Sequence, residues 1–310
     1  MKKLVGLFAT SALLLAGCGG ATLEGEGDKD KTEVAEKSPD ELVVGVSVST
    51  LSNPFFVSLD EGINTLAKDN DTKIISVDAQ DDTAKQSNDV DDLIQQGVDI
   101  LLINPVDSSA ITPAVESANG SDIPVIMMDR SSDEGNVVSL VASDNVAGGE
   151  MAADFIKEVS GEDAKVVQLE GIPGASATRE RGKGFMNVAE KSLDLLDSQT
   201  AGFDRAKGLT VMENMLQAQS EIKAVFAQND EMALGAIEAI ESAGKSEDIQ
   251  VVGFDGTEDG IAAVKAGTLS ATVAQQPEEM GKLSLQAAYD YFAGKDVDEK
   301  IDSPLELVKE

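Results

Sequence analysis

The chain alternates between short runs of apolar residues and longer segments in which apolar residues recur every three or four positions. Runs rich in Val, Ile and Leu are typical of strands that are buried on both faces of a sheet. The spacing of Leu59, Ile63 and Leu66 is that of the inner face of a helix. The pattern predicts strands in the segments that begin at Leu42, Lys73, Val98, Ile123, Val137, Lys165, Lys223, Gln250 and Ser270.

This alternation of strands and helices predicts an α/β fold in which helices flank sheets that are mostly parallel. The chain has 310 residues, and the predicted strands are more than one small sheet needs. Two similar lobes are therefore expected.

Polar residues gather where several of these strands end. In open parallel sheets, ligands bind in the crevice beyond the carboxyl ends of the strands. Amide groups both donate and accept hydrogen bonds, carboxylates accept, and guanidinium groups donate. This mixture suits a neutral polyhydroxyl ligand, because each hydroxyl is a donor and an acceptor at once. The residues at or just after these strand ends are Ser49, Asn53, Asp129, Arg130, Ser143, Asn145, Gln228, Asn229, Asp230, Phe254, Asp255 and Gln275, to which Arg181 in a later segment is added.

Two adjacent phenylalanines, Phe55 and Phe56, stand at the head of the first predicted helix. Consecutive residues cannot both lie on the inner stripe of one helix, so at least one of the two rings is expected to point away from the core. Flat aromatic rings cover the C–H faces of a sugar while polar groups take its edge. Phe55, Phe56 and Phe203 are the aromatic candidates for such a site.

The charge and the lack of histidine exclude several classes of function. The formal net charge is −33, from 24 Lys and Arg against 57 Asp and Glu, and such an acidic surface repels nucleic acid. The chain has no histidine, which removes Ser-His-Asp triads, Cys-His pairs and histidine metal sites. An enzyme that uses carboxylates or lysine is still compatible with this composition, but a protein that is not an enzyme and that uses no metal or cofactor is expected.

The N-terminus has the features of a secretion signal. Residues 1–17 combine two lysines with an apolar run that is too short to span a membrane. The segment Leu15-Ala16-Gly17-Cys18 resembles a bacterial lipobox, which implies cleavage before Cys18 and attachment of a lipid to it; the alternative is a plain signal with a free thiol. Residues 18–40 are Gly-rich and charged, as in an acidic flexible tether. The sequence thus predicts an extracytoplasmic protein anchored to the cell membrane.

The body of the chain, from Leu42 to Glu310, resembles the ribose-binding members of the periplasmic sugar-binding protein family, which serve ATP-driven importers. The stretches that carry the resemblance are STLSNPFFVSL, ILLINP, VASDNVAGG, RERGKGF, VFAQNDEMALGA and VVGFDGT. It implies high-affinity binding of D-ribose in a cleft between two lobes, with Phe55, Phe56 and Phe203 on the faces of the sugar. The residues that the resemblance implies for its polar edge are Asn53, Asp129, Arg130, Arg181, Asn229, Asp255 and Gln275. It also implies delivery of the sugar to an ABC permease by a monomeric protein.

The resemblance further implies a periplasmic binding protein fold of type I, in which three crossover segments join the lobes. The crossings are expected near Ser143, Gln275 and Pro304. The N-terminal lobe would then comprise residues 41–143 and 276–304, and the C-terminal lobe residues 144–275 and 305–310.

Three other interpretations compete with this one. The first is a protein of the same fold that binds another ligand, such as allose, xylose, galactose or a furanosyl signal like autoinducer-2. The second is the sensing half of a transcription repressor, which would need a basic helix-turn-helix in place of the acidic N-terminal segment. The third is a glycosidase that uses Asp129 and Asp255 as a carboxylate pair. Neighbouring Arg130 and Arg181 are expected to keep both carboxyls ionised and therefore unsuited to proton donation.

Overall fold

A computed structural model describes residues Ala35 to Lys309. The predicted signal sequence, Cys18 and most of the predicted tether lie outside the described residues. The strands in the described part of the chain are β1 (Val43–Val48), β2 (Lys73–Asp78), β3 (Ile100–Ile103), β4 (Val125–Met128), β5 (Ser139–Ser143), β6 (Ala164–Glu170), β7 (Leu193–Thr200), β8 (Ala224–Ala227), β9 (Gln250–Asp255), β10 (Ala271–Ala274), β11 (Lys300–Ser303) and β12 (Glu306–Lys309). The helices there are α1 (Pro54–Asp69), α2 (Thr83–Gln95), α3 (Thr112–Gly120), α4 (Asn145–Ser160), α5 (Ser176–Ser192), α6 (Arg205–Ala218), α7 (Asp230–Ser242), α8 (Glu258–Lys265) and α9 (Pro277–Phe292).

The strands form two six-stranded sheets with equivalent orders. One sheet has the order β11-β5-β4-β3-β1-β2, and the other has the order β12-β10-β9-β8-β6-β7. Every pairing is parallel except that of β10 with β12, which is antiparallel. By position in the two sheets, β4 corresponds to β9 and β5 corresponds to β10. The prediction of two similar α/β lobes with parallel-rich sheets is confirmed.

The chain passes between the two sheets at three places. The first is between Ser143, the end of β5, and Asn145, where α4 begins and packs into the core of the second lobe. The second lies between β10 and α9, which returns to the first lobe and contacts α1 so closely that Gly281 lies against Leu59. The third lies between β11 and β12, at residues 304–305. These three crossovers agree with the predicted fold class.

Each lobe buries the apolar stripes that the sequence pattern indicates. In the first lobe, Leu59 and Ile63 of α1 are fully buried. In the second, the rings of Phe185 on α5 and Phe226 on β8 stack with their centroids 5.0 Å apart. The strands that the hydrophobic pattern did not predict are β7, β11 and β12, whose residues are mostly half-buried or exposed.

Contacts with the first lobe begin at Lys37, a few residues before the predicted end of the tether. The Lys37 amide donates to the Phe292 carbonyl at 3.2 Å, and its ammonium group lies 2.5 Å from the Asp99 carboxylate. Within residues 35–309, none of the helices is both long enough and apolar enough to span a bilayer.

Candidate functional site

All ten sequence candidates for ligand binding line one small cavity between the lobes. A cavity of this kind suits a small ligand. Its lining residues are Asn53, Phe55, Phe56, Asp129, Arg130, Ala177, Arg181, Phe203, Asn229, Asp255 and Gln275. Ala177 was not predicted, and its small apolar side chain gives no signal in the sequence.

The first turn of α1 places both adjacent phenylalanines at the cavity. Asn53 caps this helix by accepting a hydrogen bond from the Phe55 amide at 3.0 Å, and Pro54 occupies the first helical position. The rings of Phe55 and Phe56 meet edge to face with their centroids 5.2 Å apart. Both rings are buried and both line the cavity, which explains why two phenylalanines stand side by side.

Phe203 forms an aromatic surface on the side of the second lobe. The guanidinium carbon of Arg130 lies 5.1 Å from the Phe56 centroid and 5.2 Å from the Phe203 centroid. This arginine therefore interacts with an aromatic ring from each lobe. Phe203 holds a backbone φ of 61°, a left-handed conformation that is uncommon for a large side chain.

The polar groups of the first lobe follow β4. Asp129 Oδ2 accepts from Asn104 Nδ2 at 3.3 Å and lies 3.4 Å from Arg130 Nε, while Arg130 Nη1 donates to the Pro105 carbonyl at 3.0 Å. Asp129 Oδ1 and Arg130 Nε have no hydrogen-bond partner among the described residues. Buried polar atoms are nearly always paired, so hydroxyl groups of a ligand in this cavity would complete the set.

In the second lobe, Arg181 is held on several sides. Its Nε donates to Asn145 Oδ1 at 2.8 Å and its Nη1 donates to the Gln228 carbonyl at 2.7 Å. The guanidinium carbon lies 3.8 Å from the ring centroid of Phe254, and Nη1 is 3.5 Å from Asp255 Oδ1. The sequence placed Asn145 and Phe254 at strand ends but did not predict that they support Arg181, and it did not identify Asn104, because these contacts join residues distant in the chain.

Gln275 and Asn229 complete the second lobe's contribution. Gln275 Nε2 donates to Asp255 Oδ1 at 2.9 Å, and its Oε1 has no partner among the described residues. Asn229 caps α7 by accepting from the Met232 amide at 2.9 Å. Asp129 and Asp255 occupy equivalent positions after β4 and at the end of β9, so the two lobes present one carboxylate each.

Burial has the largest effect on the pKa of both Asp129 and Asp255. Loss of solvent raises the pKa of Asp129, although Arg130, Arg181 and a hydrogen bond from Asn104 lower it in part. Burial likewise raises the pKa of Asp255 well above its usual value, against the opposing charge of Arg181. For both carboxyls, desolvation outweighs the nearby positive charges in setting the direction of the pKa shift. The expectation that the arginines keep both groups ionised stays a prediction.

The two lobes are joined outside the cavity by a group of contacts between the start of α5 and the loop after β3. The Ser108 amide donates to the Gly174 carbonyl at 3.0 Å, and the Ser176 amide donates to Ser108 Oγ at 3.1 Å. An exposed ion pair also links the lobes, because Arg179 Nη2 lies 2.7 Å from Asp133 Oδ1 in the loop after β4. The two bonds of Ser108 connect the lobes directly beside the cavity.

The lining residues include carboxylate, amide and guanidinium groups beside three aromatic rings, and none of them is Ser, Cys, Lys or His. The arrangement can satisfy the hydroxyls and the faces of a small polyol. The fold and cavity define a two-lobed receptor that encloses a small polar ligand.

Comparison with known proteins places the chain in a family of this class. The family model described as periplasmic binding protein domain matches residues 44–296, and the chain belongs to this family. Its members lie outside the cytoplasm.

Individual relatives are similar over almost the whole chain. The Ribose import binding protein RbsB of Bacillus subtilis is 57% identical over 308 residues, which cover 99% of each chain. The protein of the same name from Haemophilus influenzae is 46% identical over 311 residues, covering 100% of each. Among solved structures, a solute-binding protein of an ABC transporter from Bacillus halodurans with bound myo-inositol superposes with a TM-score of 0.82, at 33% identity, covering 90% of this chain and 96% of that one.

Proposed function

We propose that the chain binds D-ribose in the cavity between its lobes and presents the closed complex to the permease of an ABC importer. The observation that carries the proposal is the small cavity between the lobes to which both lobes contribute charged groups, Asp129 and Arg130 from one and Arg181 and Asp255 from the other. The full-length similarity to ribose import binding proteins supports the choice of sugar.

The physical reason for so many polar groups is the small size of a pentose. A sugar of about ten heavy atoms is limited to roughly 1.5 kcal/mol per atom, and micromolar binding already needs about 8 kcal/mol. Tight binding therefore requires that nearly every hydroxyl be paired, with charge-assisted bonds that contribute about 1.5–3 kcal/mol each. The ten residues predicted from the sequence are proposed to supply these bonds and the aromatic faces.

The remaining assignments concern processing and organisation. We infer that residues 1–17 are a signal peptide, that Cys18 carries a lipid, and that residues 18–40 form a tether to the membrane. The lobes are proposed to comprise residues 41–143 with 276–304 and residues 144–275 with 305–310, in a monomer that catalyses no reaction. Substitution Cys18→Ser should move the protein from the membrane fraction to the soluble fraction. Unchanged partition would refute the lipid anchor.

The sugar is tested by thermal unfolding of the full-length chain with D-ribose, D-allose, D-xylose, D-galactose and myo-inositol. A ligand present at about one hundred times its dissociation constant adds about 2.7 kcal/mol of stability. We expect a large increase in Tm with D-ribose and a small one with the others. An increase with another sugar, or with a furanosyl signal, in place of D-ribose would favour the alternative ligand and keep the role in import; the myo-inositol complex of the Bacillus halodurans protein is why that polyol is included.

A further inference from the structure

One fully buried carboxylate in the second lobe lies just outside the ligand cavity. Asp230 is the first residue of α7 and directly follows Asn229. Its exposed fraction is 0%, and it is not among the residues that line the cavity. A buried carboxylate is costly unless it is well paired, so its partners indicate its role.

The Asp230 carboxylate is held by neutral donors from the loop between β9 and α8 and from β10. Its Oδ2 accepts from the Thr257 amide at 2.8 Å and from Thr257 Oγ at 3.0 Å. Its Oδ1 accepts from Thr272 Oγ at 2.7 Å, and the Gly256 amide in turn donates to Thr272 Oγ at 3.3 Å. The Thr272 hydroxyl therefore connects Asp230 to the residue immediately after Asp255.

Two glycines leave room for this carboxylate. A Cβ on Gly253 would lie 2.4 Å from Asp230 Oδ1, and a Cβ on Gly260 would lie 2.2 Å from Asp230 Oδ2. Neither glycine has a positive φ. Glycine is required at both positions because a side chain there would collide with Asp230.

The segment held by Asp230 has an uncommon backbone. Asp255 has a φ of 113° and Gly256 a φ of 71°. A non-glycine residue keeps such a conformation only where its surroundings enforce it. The backbone amide of Gln275 donates to the Asp255 carbonyl, and its side chain donates to Asp255 Oδ1. The hydrogen bonds of Asp230 hold the same segment on the side away from the cavity.

We propose that Asp230 is a positioning residue for sugar binding: through Thr257 and Thr272 it fixes the backbone of residues 255–257 and thereby aims the Asp255 carboxylate into the cavity. This inference rests on the proposed function. Asp230 itself does not touch the sugar.

The electrostatics of Asp230 agree with a role in binding and not in stability. Burial raises the pKa of Asp230 to about 6, although the hydrogen bonds from Thr272 and Thr257 lower it in part. Keeping this group ionised at neutral pH therefore opposes folding. Groups that reduce stability are common where a binding site needs a particular geometry.

The test compares four variants of the full-length chain by calorimetric titration with D-ribose and by the Tm without sugar. Asp230→Asn replaces one carboxylate oxygen by an amide group that donates, so that either Thr257 or the Thr272 hydroxyl loses its acceptor, and Thr272→Val removes the connecting hydroxyl. Thr272→Ser keeps that hydroxyl. Asp82→Asn is the matched control, because Asp82 caps α2 in the other lobe by accepting from the amides of residues 84 and 85.

We expect Asp230→Asn and Thr272→Val to raise the Kd for D-ribose at least about tenfold, as the loss of a well-placed bond does. The Tm without sugar should stay at or above the wild-type value in Asp230→Asn, and Thr272→Ser and Asp82→Asn should bind like the wild type. Wild-type affinity in both Asp230→Asn and Thr272→Val would overturn the inference. The inference would also be overturned if these two variants lost affinity only in proportion to a fall in their Tm without sugar. If the wild-type chain binds no sugar, the proposed function fails before the positioning role is reached.

Discussion

The closed conformation depends on a glycine that faces the opposite lobe. A Cβ on Gly174 would lie 1.6 Å from Asp107 Oδ2 and 2.4 Å from Asp107 Cγ. Gly174 does not have a positive φ, so alanine is compatible with its backbone and only the approach of the first lobe excludes it. We predict that Gly174→Ala weakens sugar binding by destabilising the closed state, although neither residue lines the sugar cavity.

The expected rise in Kd for Gly174→Ala depends on how easily the Asp107 side chain can be displaced. Asp107 cannot simply swing away, because its Oδ1 accepts from the amides of Ser109 at 2.9 Å and Ala110 at 2.8 Å. A hydrogen bond to a charged group contributes about 1.5–3 kcal/mol. Losing one such bond, or holding the lobes apart, should raise the Kd for D-ribose roughly 10- to 100-fold, since about 1.4 kcal/mol corresponds to a factor of ten. The sugar-free protein should keep its Tm, because the collision arises only on closure.

The assay is calorimetric titration of Gly174→Ala with D-ribose beside Gly120→Ala. Gly120 has no positive φ, and a Cβ added there would meet nothing within 4 Å, so it controls for the substitution itself. The double variant Gly174→Ala with Asp107→Ala should recover part of the affinity, as coupled neighbours do. Equal Kd values for Gly174→Ala and Gly120→Ala would refute the role of this contact in closure.

Three further predictions address charges. Arg181→Lys should raise the Kd for D-ribose at least about a hundredfold in titration calorimetry, because an ammonium group cannot reproduce the guanidinium contacts and leaves buried Asp255 poorly paired; an unchanged Kd would contradict this. The raised pKa of Asp230, about 6, means that its contribution to stability is present at low pH and is lost as pH rises through 6. The wild type should therefore gain about 1 kcal/mol between pH 7 and pH 5 relative to Asp230→Asn in denaturant unfolding, and parallel pH profiles would exclude the shift. Arg179→Ala should change the Kd by less than about fivefold, because its ion pair with Asp133 is solvent-exposed; a larger loss would give this pair a main role in closure.

Much of the fold and of the lining of the site could be predicted from the sequence. Strands with continuous apolar runs, such as β3 and β4, are fully buried, so their hydrophobicity is visible without the structure, whereas β2 at the sheet edge is half-buried or exposed. Several candidate residues lie at or just after strand ends, as Asp129 follows β4, and the carboxyl ends of parallel strands share one edge.

The parts that could not be predicted depend on contacts between distant segments. β7, β11 and β12 lie at sheet edges and carry polar residues at many positions, so their sequences lack a strand pattern. Asn104 supports Asp129 and Asn145 supports Arg181, each through one side-chain hydrogen bond. No local sequence pattern predicts these bonds, because the partners are distant in the chain. The raised pKa of Asp129 likewise follows from its complete burial, and the sequence reveals only the neighbouring arginine.

Binding of the sugar between the lobes is tested most directly by a crystal structure of the full-length chain with D-ribose. We predict one sugar ring in the cavity between the lobes, within hydrogen-bond distance of both Asp129 and Asp255 and in contact with Phe56 and Phe203. A sugar bound elsewhere, or bound by one lobe alone, would contradict this prediction.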